Sequence, residues 1–273
     1  MIKSSFADLK GKTVVITGGS GTLGSAMAKG LVQAGAKLGI MSRKQEKAQE
    51  VVETLLAEGG EAISLVADVL EKESLVKARE RMLEQWGSID VLINCAGGNK
   101  RGASIGPEQS IFDLSITDFD QVTALNLKGT LLPTLVFAEA MVQQETGVIL
   151  NISSMAAQRP LTRVLAYSAA KAALDNLTKW LAVEMATKYS PNIRVNAIAP
   201  GFFIAEQNRH LLLQADGTLT ERGQKVIDHT PMKRFGQPEE LSGVVNWLCS
   251  DAASFVTGTV VAIDGGFSAF AGV

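Results

Sequence analysis

Tyr167 and Lys171, four positions apart in AYSAAKAAL (166 to 174), are the residues of this sequence best suited to do chemistry. The pattern around them is helical, and a spacing of four puts both side chains on one helix face. A phenol ionises near ~10 and is a poor acid–base catalyst at neutral pH, but an adjacent ammonium favours the phenolate and lowers that value. The pair is therefore expected to give and take a proton at a reacting oxygen. NISSM (151 to 155) puts Ser154 thirteen residues upstream, on a loop able to fold back to the same point.

A second stretch, TVVITGGSGTLG (13 to 24), reads as a strand, a glycine-rich turn and a helix start. Such a turn lets the backbone approach a pyrophosphate while helix N–H groups point at it. It parses in two ways. From Gly19 it is G-x-G-x-x-G, using Gly19, Gly21 and Gly24; from Thr17 it is nearly T-G-x-x-x-G-x-G, with Thr22 in the place of the second glycine. The first parse predicts a carboxylate at the end of the next strand to hold the ribose hydroxyls. GIMSRKQEK has Ser42 and Arg43 there instead. An arginine pairs with a 2′-phosphate, so NADP(H) is favoured over NAD(H). Asp68, closing a third apolar run, is placed either to accept from the adenine amino group or to cap the following helix.

These residues need a frame. Short apolar runs alternate with longer helical patterns: TVVIT (13 to 17), KLGIM (37 to 41), AISLVA (62 to 67), DVLIN (90 to 94), GVILNIS (147 to 153), IRVNAIA (193 to 199) and TVVAID (259 to 264). Runs without polar alternation fit strands covered on both faces. The fold class is therefore α/β, a doubly wound, seven-stranded parallel sheet of Rossmann type with helices on both faces. Gly35, Gly59-Gly60 and Trp86-Gly87 are expected to end the first three helices. With no repeat or linker, residues 1–273 read as one domain.

Two segments interrupt the rhythm, 97 to 116 and 201 to 237, each after the carboxyl end of a strand, where open α/β sheets place ligands. They read as substrate-binding segments or surface insertions. Candidate substrate groups are Lys100 and Arg101, then Gln158, Arg159 and Arg163, then Gln207, Asn208, Arg209 and His210. Basic and amide groups around an apolar cleft suit a small polyhydroxylated acid, its carboxylate clamped by an arginine.

A net charge of -2 gives no electrostatic reason to expect nucleic acid or an anionic membrane as partner. Cys95 and Cys249 lie in no metal-ligand spacing, which suits a reducing compartment, and no metal site is expected. The N-terminal residues contain no apolar leader core, and no apolar run reaches membrane length, so a cytoplasmic protein is expected.

Taken in order, TGGSGTLG, Asp68-Val69, NCAG (94 to 97), the asparagine of LNLKG (125 to 129), NISS, YSAAK, the Pro-Gly of NAIAPG (196 to 201) and VTGTVVAIDGG (256 to 266) resemble the short-chain dehydrogenase/reductase family over essentially the whole chain. The resemblance implies hydride transfer between a nicotinamide cofactor and a carbinol or carbonyl carbon. It implies that Tyr167 is the general acid/base, that Ser154 hydrogen-bonds the reacting oxygen, that Lys171 holds the nicotinamide ribose and tunes Tyr167, and that Asn126 orders a relay water. The dinucleotide would lie on Gly18, Ser20, Gly21, Thr22 and Leu23, on Ser42 and Arg43, on Asp68 and Val69, on Asn94, Ala96 and Gly97, on Tyr167 and Lys171, and on Pro200, Gly201 and Phe203.

Two positions depart from the family pattern. Thr22 replaces a glycine, which is expected to reshape the turn, and Ala205 replaces a threonine whose hydroxyl bonds the carboxamide. The strings AGGNK, SSMAAQRPLTRVLAYSAAK and APGFFIAEQNRHLL resemble the D-mannonate oxidoreductase (fructuronate reductase) branch, and among the basic and amide groups named above Arg101, Gln158, Arg159, Gln207 and Arg209 are the expected substrate contacts. Gluconate 5-dehydrogenase and 3-oxoacyl reductase are the enzymatic alternatives, and a dinucleotide-binding regulator the non-enzymatic one. Relatives usually form homotetramers. The apolar tail GGFSAFAGV is expected to pack on the body or a neighbouring subunit.

Overall fold

The computed structural model describes residues 8–206 and 208–272. Its seven strands are β1 (Thr13–Thr17), β2 (Lys37–Ser42), β3 (Glu61–Val66), β4 (Val91–Asn94), β5 (Gly147–Ile152), β6 (Ile193–Pro200) and β7 (Val260–Ile263). All pair in parallel, in the order β3-β2-β1-β4-β5-β6-β7. The connections are α1 (Thr22–Gln33), α2 (Gln45–Ala57), α3 (Lys72–Trp86), α4 (Ile116–Thr123), α5 (Gly129–Gln144), α6 (Leu165–Lys188), α7 (Arg209–Leu212), α8 (Glu221–Asp228) and α9 (Ser242–Cys249).

The strands are apolar throughout because both faces are covered. Val14 and Ile16 of β1 pack with Met27 and Leu31 of α1, Val52 of α2 and Val245 of α9. Val15, between them, points the other way, toward a core with Met82 of α3, Phe137 of α5 and Leu181 of α6. Side chains alternate across a strand, so one run of β-branched residues feeds both cores. Each fully buried side chain of this size contributes roughly 1.5–3 kcal/mol.

The helices end where the sequence predicts. α3 stops at Gly87, whose backbone is left-handed (φ 78°) and whose N–H donates to the Leu83 carbonyl at 2.8 Å. The chain runs outward from β1 to β3, then crosses to β4 and continues to β7, so the direction reverses between β1 and β4. Past the ends of these strands lies the crevice in which open α/β sheets bind ligands. The two interrupting segments both leave carboxyl strand ends: 97 to 116 leads through short 3₁₀ turns into α4, and 201 to 237 carries α7 and α8.

Candidate active site

The glycine turn closes the β1–β4 crevice. Thr17 Oγ1, at the end of β1, accepts from the backbone N–H groups of Cys95 and Ala96, both at 3.1 Å. This draws the turn so close to the chain after β4 that a Cβ on Gly18 would lie 2.8 Å from Ala96 Cα, and Gly18 is also left-handed at φ 65°. A Cβ on Gly24 would lie 2.5 Å from the Gly18 carbonyl oxygen. Gly18 and Gly24 are thus the glycines the turn requires, whereas Gly21 meets nothing closer than 3.4 Å. That agrees with the Thr17 parse.

Thr22 takes the first helical position of α1, and its Oγ1 accepts from the Glu206 backbone N–H at 3.5 Å, joining the turn to the segment after β6. No side chain caps α1, and no acidic residue lies in its first turn. Its leading N–H groups are therefore free to hold an anion, and the turn fits the pyrophosphate of a dinucleotide. Ser20 Oγ donates to Ser42 Oγ at 3.0 Å, tying the turn to the end of β2, where Arg43 is exposed. The Asp68 carboxylate accepts from the Leu70 N–H at 2.9 Å, closing a turn ahead of α3. The buried Asn94 side chain donates to Thr134 Oγ1 and Asn151 Oδ1, both at 3.0 Å, and so links β4 to α5 and β5.

The four expected catalytic residues converge beside this turn. Asn126 is fully buried in a π-helical segment, Ala124–Lys128, between α4 and α5. Its amide donates to the Gly98 carbonyl at 2.7 Å and accepts from the Gly98 N–H at 3.2 Å, fastening the chain after β4. A Cβ on Gly97 would lie 2.7 Å from Asn126 Oδ1 and 3.5 Å from Lys171 Nζ. Lys171 Nζ donates to the Ile152 carbonyl at 2.6 Å and lies 5.5 Å from the centre of the Tyr167 ring. Ser154, just past β5, accepts from the Ala156 N–H at 3.1 Å, which caps a 3₁₀ turn and orients its hydroxyl.

Electrostatics at the site correct one expectation. Burial pushes the Tyr167 phenol up, although the Ser154 hydroxyl is close enough to hydrogen-bond to it and acts in the opposite direction. Burial also lowers Lys171 to about 8, against which Cys95 and Asp175 act. The ammonium does not lower the phenol here because both groups lose water together and Lys171 is directed at the Ile152 carbonyl. Loss of water also pushes the thiol of the partly buried Cys95 up to about 11.

The family model described as "Enoyl-(Acyl carrier protein) reductase" matches residues 19–268. An uncharacterized oxidoreductase of Bacillus subtilis (strain 168), UxuB, is 48% identical over 97% of this chain and 98% of its own. The chain belongs to the short-chain dehydrogenase/reductase family. It is an oxidoreductase that uses a nicotinamide dinucleotide. The structure of a candidate D-mannonate oxidoreductase from Haemophilus influenza, with bound NAD, superposes at TM-score 0.91 with 41% identity, covering 97% of this chain and 98% of that one. A gluconate 5-dehydrogenase from Burkholderia cenocepacia J2315, in complex with NADP and tartrate, superposes at TM-score 0.87 with 30% identity and the same coverage.

Around this dehydrogenase site the expected substrate groups separate. Gln158 is exposed, and Arg159 donates to the carbonyl of Ser268 in the C-terminal tail, at 3.1 Å through Nε. Lys100 pairs with Asp118 at 3.8 Å, and Arg101 beside it is exposed. Asn208 is occupied within its own loop, donating to the Phe203 carbonyl at 2.8 Å and accepting from the Ala205 N–H at 2.8 Å. Arg209 and His210 line a cleft of about 770 Å³ with Glu206 and Glu221. Gln207 lies outside the described residues. The tail packs on the body through Phe267, whose ring meets Phe202 edge-on at 5.2 Å.

A second cleft, about 480 Å³, runs between the 160–163 loop, Phe202, Phe267 and α8. Arg222 and Lys225 of α8, and His229 just past its end, line it with Arg163. Only Arg163 of these four was singled out from sequence. The signal for the others was their i, i+3, i+7 spacing within the 201 to 237 segment, which sets them on one helix face.

Proposed function

We propose that this enzyme interconverts the secondary alcohol and ketone of a sugar acid, D-mannonate and D-fructuronate, with NADP(H) favoured, acting as a single-domain, cytoplasmic homotetramer. The observation that carries the chemistry is the convergence of Ser154, Tyr167, Lys171 and Asn126 on the chain after β4, beside an uncapped α1. When bound, the nicotinamide supplies the hydride to the carbonyl carbon or takes it from the carbinol.

The chain's own residues handle the oxygen. In reduction Tyr167 passes its phenolic proton to the carbonyl oxygen as charge develops there, and Ser154 donates a hydrogen bond to that atom. Burial, which raises the phenol, keeps Tyr167 protonated for this step. In oxidation the phenolate takes the proton back. Lys171 holds the ribose and restores charge balance at Tyr167, while Asn126 keeps the chain after β4 in place for a relay water. Ala205 offers no hydroxyl for the carboxamide.

For the substrate, the support is the likeness to the candidate D-mannonate oxidoreductase and the basic groups on the segments facing the crevice. For the cofactor, it is Ser42 and Arg43 at the end of β2, where a 2′-phosphate would meet a cation and no carboxylate. The two neighbours carry NAD in one case and NADP in the other. For the compartment, both cysteines are free. No helix among the described residues is long and apolar enough to cross a membrane.

Steady-state rates on D-mannonate, D-fructuronate, gluconate and an acetoacetyl thioester, with both cofactors, test the reading. Turnover of gluconate or the thioester with none of the hexuronate pair would overturn it in favour of gluconate 5-dehydrogenase or 3-oxoacyl reductase. Tyr167→Phe is expected to abolish turnover while dinucleotide still binds, an outcome that excludes a purely regulatory role.

A further inference from the structure

Beyond the catalytic four, one cleft collects more cations than carboxylates, and of its cations only Lys225 is ion-paired among the described residues. Its lining holds three permanent positive charges, Arg163, Arg222 and Lys225, against one carboxylate, Glu221. Glu221 is already paired with Lys225 at 2.5 Å, and the field of Arg163 reaches it as well. Arg222 is only half exposed and contacts a neutral partner, donating to Thr162 Oγ1 at 3.3 Å. The two guanidinium groups act on one another, Arg163 adding to the burial that lowers Arg222. His229 is fixed by the contact of its Nδ1 with the Lys225 carbonyl at 2.8 Å, which leaves Nε2 for a ligand. Three cations against one carboxylate leave net positive charge in the cleft, a cost in free energy that an added anion would offset.

Backbone strain points to the same place. Arg163 is one of only three non-glycine residues with positive φ among those described, at 77°. Its carbonyl is held by the Ile105 N–H at 3.0 Å. A bulky residue in this conformation is sparsely populated and persists where the surroundings over-determine it. Here it sits four residues before Tyr167, in the loop that joins Ser154 to the general acid, so the cleft wall and the reacting centre belong to one stretch of chain.

We infer that this cleft holds the carboxylate of an anionic substrate between the guanidinium groups of Arg163 and Arg222, with His229 beside them, and that these residues select acids over neutral polyols. A planar fork is matched to a carboxylate in a way that an ammonium is not. The inference rests on the sugar-acid reading and assigns the clamp to α8 and the 160–163 loop in place of Arg159 and Arg209.

The test compares wild type, Arg163→Gln, Arg222→Gln and Arg222→Lys on D-mannonate and on its neutral counterpart D-mannitol, and measures tartrate binding by calorimetry. The glutamine variants are expected to lower kcat/KM for the acid relative to the polyol on the order of 10- to 100-fold, mostly through KM, and to weaken tartrate binding similarly. Arg222→Lys falls between. An equal loss on acid and polyol, tartrate affinity unchanged in the glutamine variants, or no tartrate binding by wild type overturns the clamp. Wild type that ignores all sugar acids, yet binds tartrate through Arg222, overturns the substrate reading and leaves the clamp standing.

Discussion

Lys171, which the proposed mechanism places at the ribose, makes folding stability depend on pH. Its ammonium is buried and reaches a single backbone carbonyl, and its value falls from the ordinary 10.5 to about 8. Between those two pH values the unfolded chain binds the proton and the folded one does not, so folding stability rises with pH across that window. The difference corresponds to about 3 kcal/mol. Lys171→Met is expected to remove this slope. Denaturant melts of the cofactor-free protein should show wild type gaining on the variant from pH 8 to above 10.5, and parallel curves would contradict it. The wild-type curve alone is insufficient because Cys95, raised to about 11, acts in the opposite direction at the upper end. Arg43 belongs to the same scale. It is exposed and makes no hydrogen bond or ion pair with the other described residues, so its charge is free for a 2′-phosphate. Arg43→Ala should lower kcat/KM with NADPH on the order of 10- to 100-fold and leave NADH nearly unchanged.

At the scale of elements, the packing of α1 against the turn is what shapes the proposed dinucleotide site. Gly24 sits in the first turn of α1 with a virtual Cβ 2.5 Å from the Gly18 carbonyl and 2.9 Å from Gly19 Cα, both backbone contacts that cannot rotate away. Gly24→Ala must therefore lift the helix from the turn. A stability loss of ~1–3 kcal/mol is expected, together with weaker dinucleotide binding, as read by thermal melts and by fluorescence titration with NADPH. Gly21→Ala, with only a 3.4 Å contact, is the comparison that should be milder. The strand runs and the glycine stops after α1, α2 and α3 were legible because their signals are local: β-branched runs, and glycine where the backbone turns left-handed. The short helices α7 and α8 were not legible as a functional face. Four- and eight-residue helices carry little periodic signal.

For the whole molecule, the outer faces of α5 and α6 leave apolar groups in water, with Leu135 at 53%, Trp180 at 58% and Val183 at 65% exposure. Helices already packed on a sheet have no internal reason to be apolar on the far side, and such patches mark association surfaces. Light scattering is expected to give four times the 28.9 kDa chain mass, and a monomer at micromolar concentration would refute the proposed tetramer. Sequence alone determined the fold class, a doubly wound seven-stranded parallel sheet, and it supplied Ser154, Tyr167 and Lys171 as the proposed catalytic set, because each depends on residue type at short or motif spacing. Tertiary structure decided which glycines are obligatory, since only the approach of Gly18 to Ala96 across the β1–β4 crevice creates the constraint. It also decided that Tyr167 is raised and not lowered, because desolvation depends on everything packed around a group. And it ties Arg159 to the tail and brings Arg163 and Arg222, about sixty positions apart in sequence, to the lining of one cleft, which only the packing of α8 beside the 160–163 loop creates.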